Sequence, residues 1–232
     1  MTILEKAQQW LSSTFDKETQ QEIQHLINTD QEQLTDRFYQ DLEFGTGGMR
    51  GVMGIGTNRI NKYTLGKNTQ GLSNYMHQEF PDETLKVAIA YDCRHNSKTL
   101  AKVVANVFSA NNIEVYLFED LRPTPELSFA LKHLNCHCGI VLTASHNPPE
   151  YNGYKVYWND GAQIVAPHDK GIIDEVRAIT DLGNIKFSPN EALIETGSKE
   201  LDEAFLTASL AQRKKEVAAK DLKIAFTSLH GT

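Results

Sequence analysis

Three short apolar runs, separated by stretches with helical periodicity, constrain this chain more than any other feature. Leu85-Lys-Val-Ala-Ile-Ala-Tyr91, Ile113-Glu-Val-Tyr-Leu-Phe118 and Gly139-Ile-Val-Leu142 each have the length and apolar content of a buried strand. Between the first two, Leu100, Val103, Val104, Val107 and Phe108 recur at i, i+3, i+4, i+7 and i+8, the stripe of an amphipathic helix. Asn96 or Ser97 is its expected cap. Between the second and third runs, Pro123-Thr-Pro125 opens a helix through Leu127, Phe129, Ala130, Leu131 and Leu134, since proline is tolerated in a first turn. A β-α-β-α-β order with connections this short implies right-handed crossovers and at least three largely parallel strands.

The flanks read less regularly. Residues 3–40 are expected to be helical, with Leu4, Ala7, Leu11 and Phe15 on one stripe and Ile23, Leu26 and Ile27 on a second that Asp16 would cap. A further helix is expected over 61–79, where Gly66 and Gly71 interrupt the pattern. After the third apolar run, Gly153–Trp158 and Ala162–Val165 flank Asn159-Asp-Gly161, the signature of a β-hairpin. Tyr154, Tyr157 and Trp158 are read as packing residues. A helix over 167–179, an acidic connector over 181–198, a helix over about 199–218 and a strand Leu222–Phe226 complete the expected order.

At 232 residues the chain can bury roughly 70–75% of its unfolded surface. Its 40% apolar and 23% charged residues are those of an ordinary globular protein. The net charge of −7 argues against nucleic acid as a partner, so any anion site must be a local cluster of donors within an acidic molecule. No apolar run approaches the ~20 residues of a membrane span, and Met1-Thr-Ile-Leu-Glu-Lys-Ala lacks a signal-peptide apolar core. A cytoplasmic protein with no membrane partner is the expectation. Cys93, Cys136 and Cys138 are three in number, so a disulfide framework is not expected. Cys136-His137-Cys138 invites a zinc reading, but no second ligand pair follows at usable spacing, and core or strand-edge roles are favoured.

Chemistry concentrates where the third run ends, in Thr143-Ala-Ser-His-Asn-Pro-Pro-Glu-Tyr-Asn-Gly-Tyr-Lys155. Two prolines and an Asn-Gly stop regular structure there, presenting Ser145, His146 and Asn147 on a turn at the carboxyl end of a strand, where α/β sheets bind ligands. An activated serine hydroxyl can carry a phosphoryl group. The alternative is a simple Asx or ST turn in which Ser145 and Asn147 bond only to backbone. The G-x-S-x-G of a hydrolase elbow is absent. Phe44-Gly-Thr-Gly-Gly-Met-Arg-Gly51 is a second candidate: its glycines permit close backbone approach and positive φ, and Arg50 offers a planar fork to phosphate oxygens. A tight turn is the plainer reading of those glycines, and the segment lacks the Gly-Lys-Ser/Thr of a Walker loop.

Together these segments resemble the α-D-phosphohexomutases, the phosphoglucomutase/phosphomannomutase superfamily. Thr143–Lys155 matches that family's T-(A/G)-S-H-N-P loop and following N-G-x-K, and 44–51 matches its F-G-T-x-G-x-R-G. Asp92-Cys-Arg94 is similar to its x-D-x-R turn, and Leu229-His-Gly-Thr232 to the turn after the first strand of its second domain. The resemblance implies a three-layer α/β/α domain with a mixed, largely parallel sheet and an additional hairpin. It puts a first domain at 1–205 and the start of a second at 206–232, with the third and fourth outside the sequence. It also implies interconversion of hexose 1-phosphate and 6-phosphate through a phosphoserine and a hexose bisphosphate, with phosphomannomutase, phosphopentomutase, bisphosphate synthase or a non-catalytic phosphosugar-binding module as alternatives. Ser145 would carry the phosphoryl group, and Arg50 and Lys155 would stabilise it or assist proton transfer. His146 would bond to phosphate or accept a proton. Arg50, Asn147, Lys155 and Arg94 would contact phosphate or shape the loop, although a structural salt bridge of Arg94 with Asp92 is an equal reading.

The family's Mg2+ binds a phosphoserine oxygen, here on Ser145, together with carboxylates of an Asp-Gly-Asp-x-Asp-Arg loop that this sequence lacks, and hexose 1,6-bisphosphate is the activator. The chain would be about 40% of such an enzyme, from ordinary domain sizes. The 232-residue polypeptide alone is therefore expected to turn over little glucose 1-phosphate with Mg2+ and a bisphosphate present, because phosphoryl charge left uncompensated holds the barrier several kcal/mol too high. A coupled assay showing substantial turnover would overturn that expectation.

Overall fold

The computed structural model describes residues 1–214 and 221–227. Its elements are, in order, α1 (Ile3–Gln9), α2 (Lys17–Thr29), α3 (Gln31–Phe38), β1 (Gly48–Val52), α4 (Lys62–Glu79), β2 (Lys86–Tyr91) and α5 (Ser97–Ala110). There follow β3 (Glu114–Phe118), α6 (Thr124–His133), β4 (Cys138–Leu142), β5 (Tyr151–Trp158), α7 (His168–Ala178), β6 (Ile194–Gly197) and α8 (Lys199–Ala211). The strands make one sheet in the order β1-β5-β4-β2-β3-β6. The four from β4 to β6 run parallel, while β5 is antiparallel to both β4 and β1. The mixed, largely parallel sheet expected from the sequence is present.

Alternation along the strands assigns the helices to faces. Val87, Ile89 and Tyr91 of β2 join Ile140, Leu142, Tyr154 and Val156 in one core under α4, α5 and α7. Ala88 and Ala90 point the other way and pack with Val141 and Phe118 under Leu127, Ala130 and Leu131 of α6 and Leu201 of α8. Three layers result. Burying both faces of β2 and β4 explains why they read as continuous apolar runs and not as alternating ones. The amino-terminal arm folds into α1–α3 on its own small core, centred on Trp10, whose ring stacks on Phe15 at 4.6 Å. Asp16 caps α2 as expected, accepting from the Thr19 amide at 2.8 Å.

Three expectations need correction. The hairpin after β5 is abortive: Trp158 and Ala162 bond across the Asn159–Gly161 turn, but the returning arm makes only the bridge Tyr157–Gln163. β1 already occupies that edge of β5 from Lys155 to Tyr151, so little of the ladder is free. The connector at 181–198 contains β6, which adds to β3 at the edge of the sheet. Leu222–Phe226 forms no strand. No described strand lies beside it to satisfy its backbone groups, and Leu222, Ile224 and Phe226 are strongly exposed. The helix expected over about 199–218 is observed as α8, and its expected last turn, like the turn at 229–232, falls largely outside the described residues.

Cys136 and Cys138 are buried and unbridged, and burial pushes the Cys136 thiol up to about 12 and Cys138 higher still. No described helix is long and apolar enough to cross a membrane. α8 runs unbroken across residue 205, and it is tied to α6 and the turn before it. Arg122 grips Asp202 with two charge-assisted bonds, Nε to Oδ1 at 2.7 Å and Nη2 to Oδ2 at 2.5 Å. Glu126 lies beside them, 4% exposed; burial, then its hydrogen bond to Asp202, pushes its carboxyl up to about 7. A raised carboxyl pKa stabilises the fold while the group is protonated. That contribution is full below its ordinary value near 4.5 and is lost as pH rises through about 7. Glu126→Gln keeps a neutral hydrogen-bonding group there, so the fall in melting temperature between about pH 5 and pH 8 should shrink in the variant. Melting curves across that range check this; an unchanged fall would show that Glu126 stays ionised.

Candidate active site

β4 is buried from end to end and runs straight into Thr143 and Ala144, also buried, before the chain surfaces at Ser145. Ser145 is exposed and takes a left-handed backbone, φ 54°. Holding a serine there costs roughly 1–3 kcal/mol, a strain that persists only where surrounding contacts impose it. Those contacts are visible. The Thr143 hydroxyl accepts from the Ser145 amide at 3.0 Å, and the Ala144 carbonyl accepts from the Asn147 amide at 3.1 Å. The ST turn considered for this loop exists, but Thr143 makes it, which leaves the Ser145 hydroxyl outside the turn. Ser145 Oγ lies 3.3 Å from His146 Nδ1.

Arg94 fixes the loop from below. Its guanidinium donates to four carbonyls: Pro148 at 2.9 Å, Tyr151 at 3.0 Å, and Ser145 and Asn147 each at 2.6 Å. Its Nε faces Asp92 at 3.6 Å. With its donors engaged in this way, Arg94 holds the loop's backbone instead of offering its fork to a phosphate. Of the two readings open at Arg94, loop shaping and pairing with Asp92 both fit this geometry.

Arg50 and Lys155 lie side by side on the adjoining strands of the sheet. Arg50 sits opposite Gly153, and Lys155 opposite both Gly48 of β1 and Val141 of β4. Paired residues share a face, so Arg50, Lys155 and Val141 project to the α6 side, the two cations as diagonal neighbours. Arg50 donates to Asn147 Oδ1 at 2.9 Å, linking the glycine-rich turn to the serine loop. The Lys155 side chain makes no hydrogen bond or ion pair among the described residues. The 44–51 segment is a tight turn, Gly45 and Gly48 bonding to each other's carbonyls, that delivers a strand. Gly48, at φ 132°, could not carry a side chain, since a Cβ would meet the Tyr154 carbonyl at 2.0 Å.

The sequence pattern gives Thr143 no role of its own and reads Asn152-Gly153 as a break, whereas Asn152 and Gly153 both lie within β5. A threonine two residues before the serine is the signal of an ST turn. Gly153 lies where β1, β5 and the serine loop converge, and a Cβ there would meet Thr143 O at 2.6 Å and Met49 O at 2.9 Å.

Residues 41–182, more than half of the chain and including all six candidate site residues, match the family described as phosphoglucomutase/phosphomannomutase, alpha/beta/alpha domain I. The chain belongs to this family. A phosphoglucomutase of Staphylococcus haemolyticus is 36% identical over 201 residues, 84% of this chain and 36% of the relative. A phosphopentomutase of Homo sapiens is 42% identical over 172 residues, 71% of this chain and 28% of the relative. The chain thus spans about a third of the length of these curated relatives. Among solved structures, one from Thermus thermophilus, assigned as a phosphomannomutase, superposes with a TM-score of 0.64 at 28% identity, covering 74% of this chain and 36% of that one. This member of the family keeps the domain I sheet, and the backbone crowding at Gly153 sets how close its serine loop lies to β1. Gly153→Ala should destabilise the fold by about 1–3 kcal/mol through overpacking against two carbonyls. Urea unfolding measures this, and a variant as stable as the parent would show that β1 and the loop can separate freely.

Proposed function

We propose that this chain supplies the phosphoseryl half of a sugar-phosphate mutase, with Ser145 as the phosphoryl carrier. The observation that carries the reading is the exposed Ser145 hydroxyl held in a strained turn, with Arg50 tethered to the same loop through Asn147. In the charging step, Oγ attacks a phosphoryl group of a hexose bisphosphate such as hexose 1,6-bisphosphate. The P–Oγ bond forms and the bond from phosphorus to the sugar oxygen breaks. The hydroxyl proton leaves Oγ and the departing sugar oxygen ends protonated. In the return step a sugar hydroxyl takes the phosphoryl group and Oγ recovers a proton. Such transfer depends mostly on positioning and on charge placed around the moving group.

His146 Nδ1, at 3.3 Å, is the side-chain group placed to exchange the proton with Oγ. Arg50 and Lys155 supply positive charge, and Asn147 aims the Arg50 guanidinium. Arg94 acts one step back, on the loop carbonyls.

Magnesium, when bound to such a site, neutralises phosphoryl charge. Here Ser145 would contribute one oxygen, through its phosphate. Among the described residues no group of three His, Cys, Asp or Glu is arranged to hold an ion, and Asp92 is turned inward to Ser97 and Arg94. These residues alone do not make a magnesium site, and no step above runs through one. The substrate is read as a small sugar phosphate; the similar proteins are named phosphoglucomutase, phosphopentomutase and phosphomannomutase, and the residues of this loop do not distinguish among them.

Intact-mass measurement before and after incubation with glucose 1,6-bisphosphate tests the carrier role. One phosphoryl group should be gained by the chain and lost in Ser145→Ala. No gain in the parent, with sugar phosphate still bound, would replace the carrier by a non-catalytic phosphosugar-binding module.

A further inference from the structure

Arg94 can grip the serine loop only if its own position is fixed, and the residues that fix it lie beneath the loop. Asp92, 6% exposed, accepts at one oxygen from the Arg94 amide at 3.0 Å and from the Ser97 hydroxyl at 3.1 Å. Its other oxygen faces Arg94 Nε at 3.6 Å. Ser97, 1% exposed, accepts in turn from Asn152 Nδ2 at 2.9 Å. Asn152, fully buried on β5, also donates to the His95 carbonyl at 3.1 Å, and its Oδ1 accepts from the Gly153 amide at 2.8 Å. A chain of polar contacts therefore runs from β5, through the first turn of α5 and the end of β2, to the guanidinium holding the Ser145 and Asn147 carbonyls.

Helix capping does not account for this arrangement. The capping position of α5 is Asn96, which has a left-handed backbone and makes no side-chain cap bond, and the Ser97 hydroxyl is turned away to Asp92. Asn152 is buried between β5 and this turn, where a polar group is tolerated only when its bonds are made. Low local dielectric strengthens these hydrogen bonds, and it strengthens the last link, Asp92 to Arg94 Nε, which is an ion pair at 3.6 Å without a hydrogen bond.

We infer that Asn152, Ser97 and Asp92 are positioning residues for phosphoryl transfer at Ser145, acting through Arg94. The inference rests on the carrier reading for its catalytic consequence, but its structural content stands apart from it. The network sets the direction of the guanidinium, the guanidinium sets the loop carbonyls, and these hold both the strained Ser145 backbone and the Asn147 side chain that aims Arg50. None of the three touches the reacting group.

Ser97→Ala removes one oxygen from the middle of the chain of contacts and leaves Asn152 its bond to His95, so the fold is retained. Asp92→Asn is the second variant. Three measurements are made on each: the rate of phosphoryl uptake from glucose 1,6-bisphosphate by intact mass, amide hydrogen exchange of 143–150 against β2 and β4, and the melting temperature. Uptake should slow about tenfold or more, and exchange in 143–150 should rise while β2 and β4 keep their protection. Because the residues act through one guanidinium, Ser97→Ala should add less than about threefold in an Arg94→Lys background. Unchanged loop exchange and rate, or fully additive effects, would overturn the inference. If the parent takes up no phosphoryl group, the carrier reading fails, and the exchange comparison still decides whether the network holds the loop.

Discussion

Everything at this site depends on three backbones passing one another at Gly153 with no side chain between them. The Thr143 and Met49 carbonyls flank that Cα so closely that a single methyl group would collide with both. This contact joins β4 and β5 to β1, which lies far away in sequence, and the three strands alternate in direction. It holds the start of the serine loop against the strands that carry Lys155 and Arg50, and Arg50 donates to Asn147 of that loop. Sheet pairing then does the fine placement. Register sets Arg50 opposite Gly153 and Lys155 two residues on, and alternation puts both cations on one face.

The cations around Ser145 are not equivalent, and their partners show why. Arg94 is 10% exposed at its side chain, has Asp92 beside it and spends its donors on carbonyls, so its charge is largely compensated within the protein. Arg50 is exposed and bonded to a neutral amide, and Lys155 has no acidic partner among the described residues. In a molecule of net charge −7, two uncompensated cations that are diagonal neighbours on one face of the sheet make a local attraction for anions. Compensated charge here positions the loop, and uncompensated charge is what the proposed function would turn to a ligand.

The sheet was legible in the sequence because β2, β3 and β4 are covered on both sides by helices, which forces apolar runs of strand length between helical stripes. The serine loop was legible from its punctuation: an apolar run, then Thr-Ala-Ser-His-Asn-Pro, with glycines that fit the turns. What failed was pairing information. β6 has one half-buried apolar residue, Ile194, and owes its strand geometry to the open edge of β3, which no local pattern announces. The second arm of the hairpin had the right pattern, but β1 competed for the same edge and took most of it. Leu222–Phe226 has strand-like composition and no neighbour among the described residues to pair with. Arg94 was ambiguous because a guanidinium in sequence says nothing about whether its donors face carbonyls or solvent.

The strain at Ser145 and the rigidity beneath it belong to one physical argument. A left-handed serine would relax into an ordinary turn if the loop could move, so its persistence measures how firmly Arg94, Thr143 and the Gly153 contact hold the backbone. Under the proposed carrier role, phosphoryl transfer would gain from that firmness, because the oxygen would serve alternately as nucleophile and leaving group from the same position. A flexible loop would have to be ordered again at each passage, and its entropy would appear in both barriers. The ordering lies in buried hydrogen bonds of Asp92, Ser97 and Asn152, while Ser145 itself stays exposed. Arg50 and Lys155 stay uncompensated among the described residues, and in the proposed function a sugar phosphate would turn one end and then the other toward the Ser145 hydroxyl.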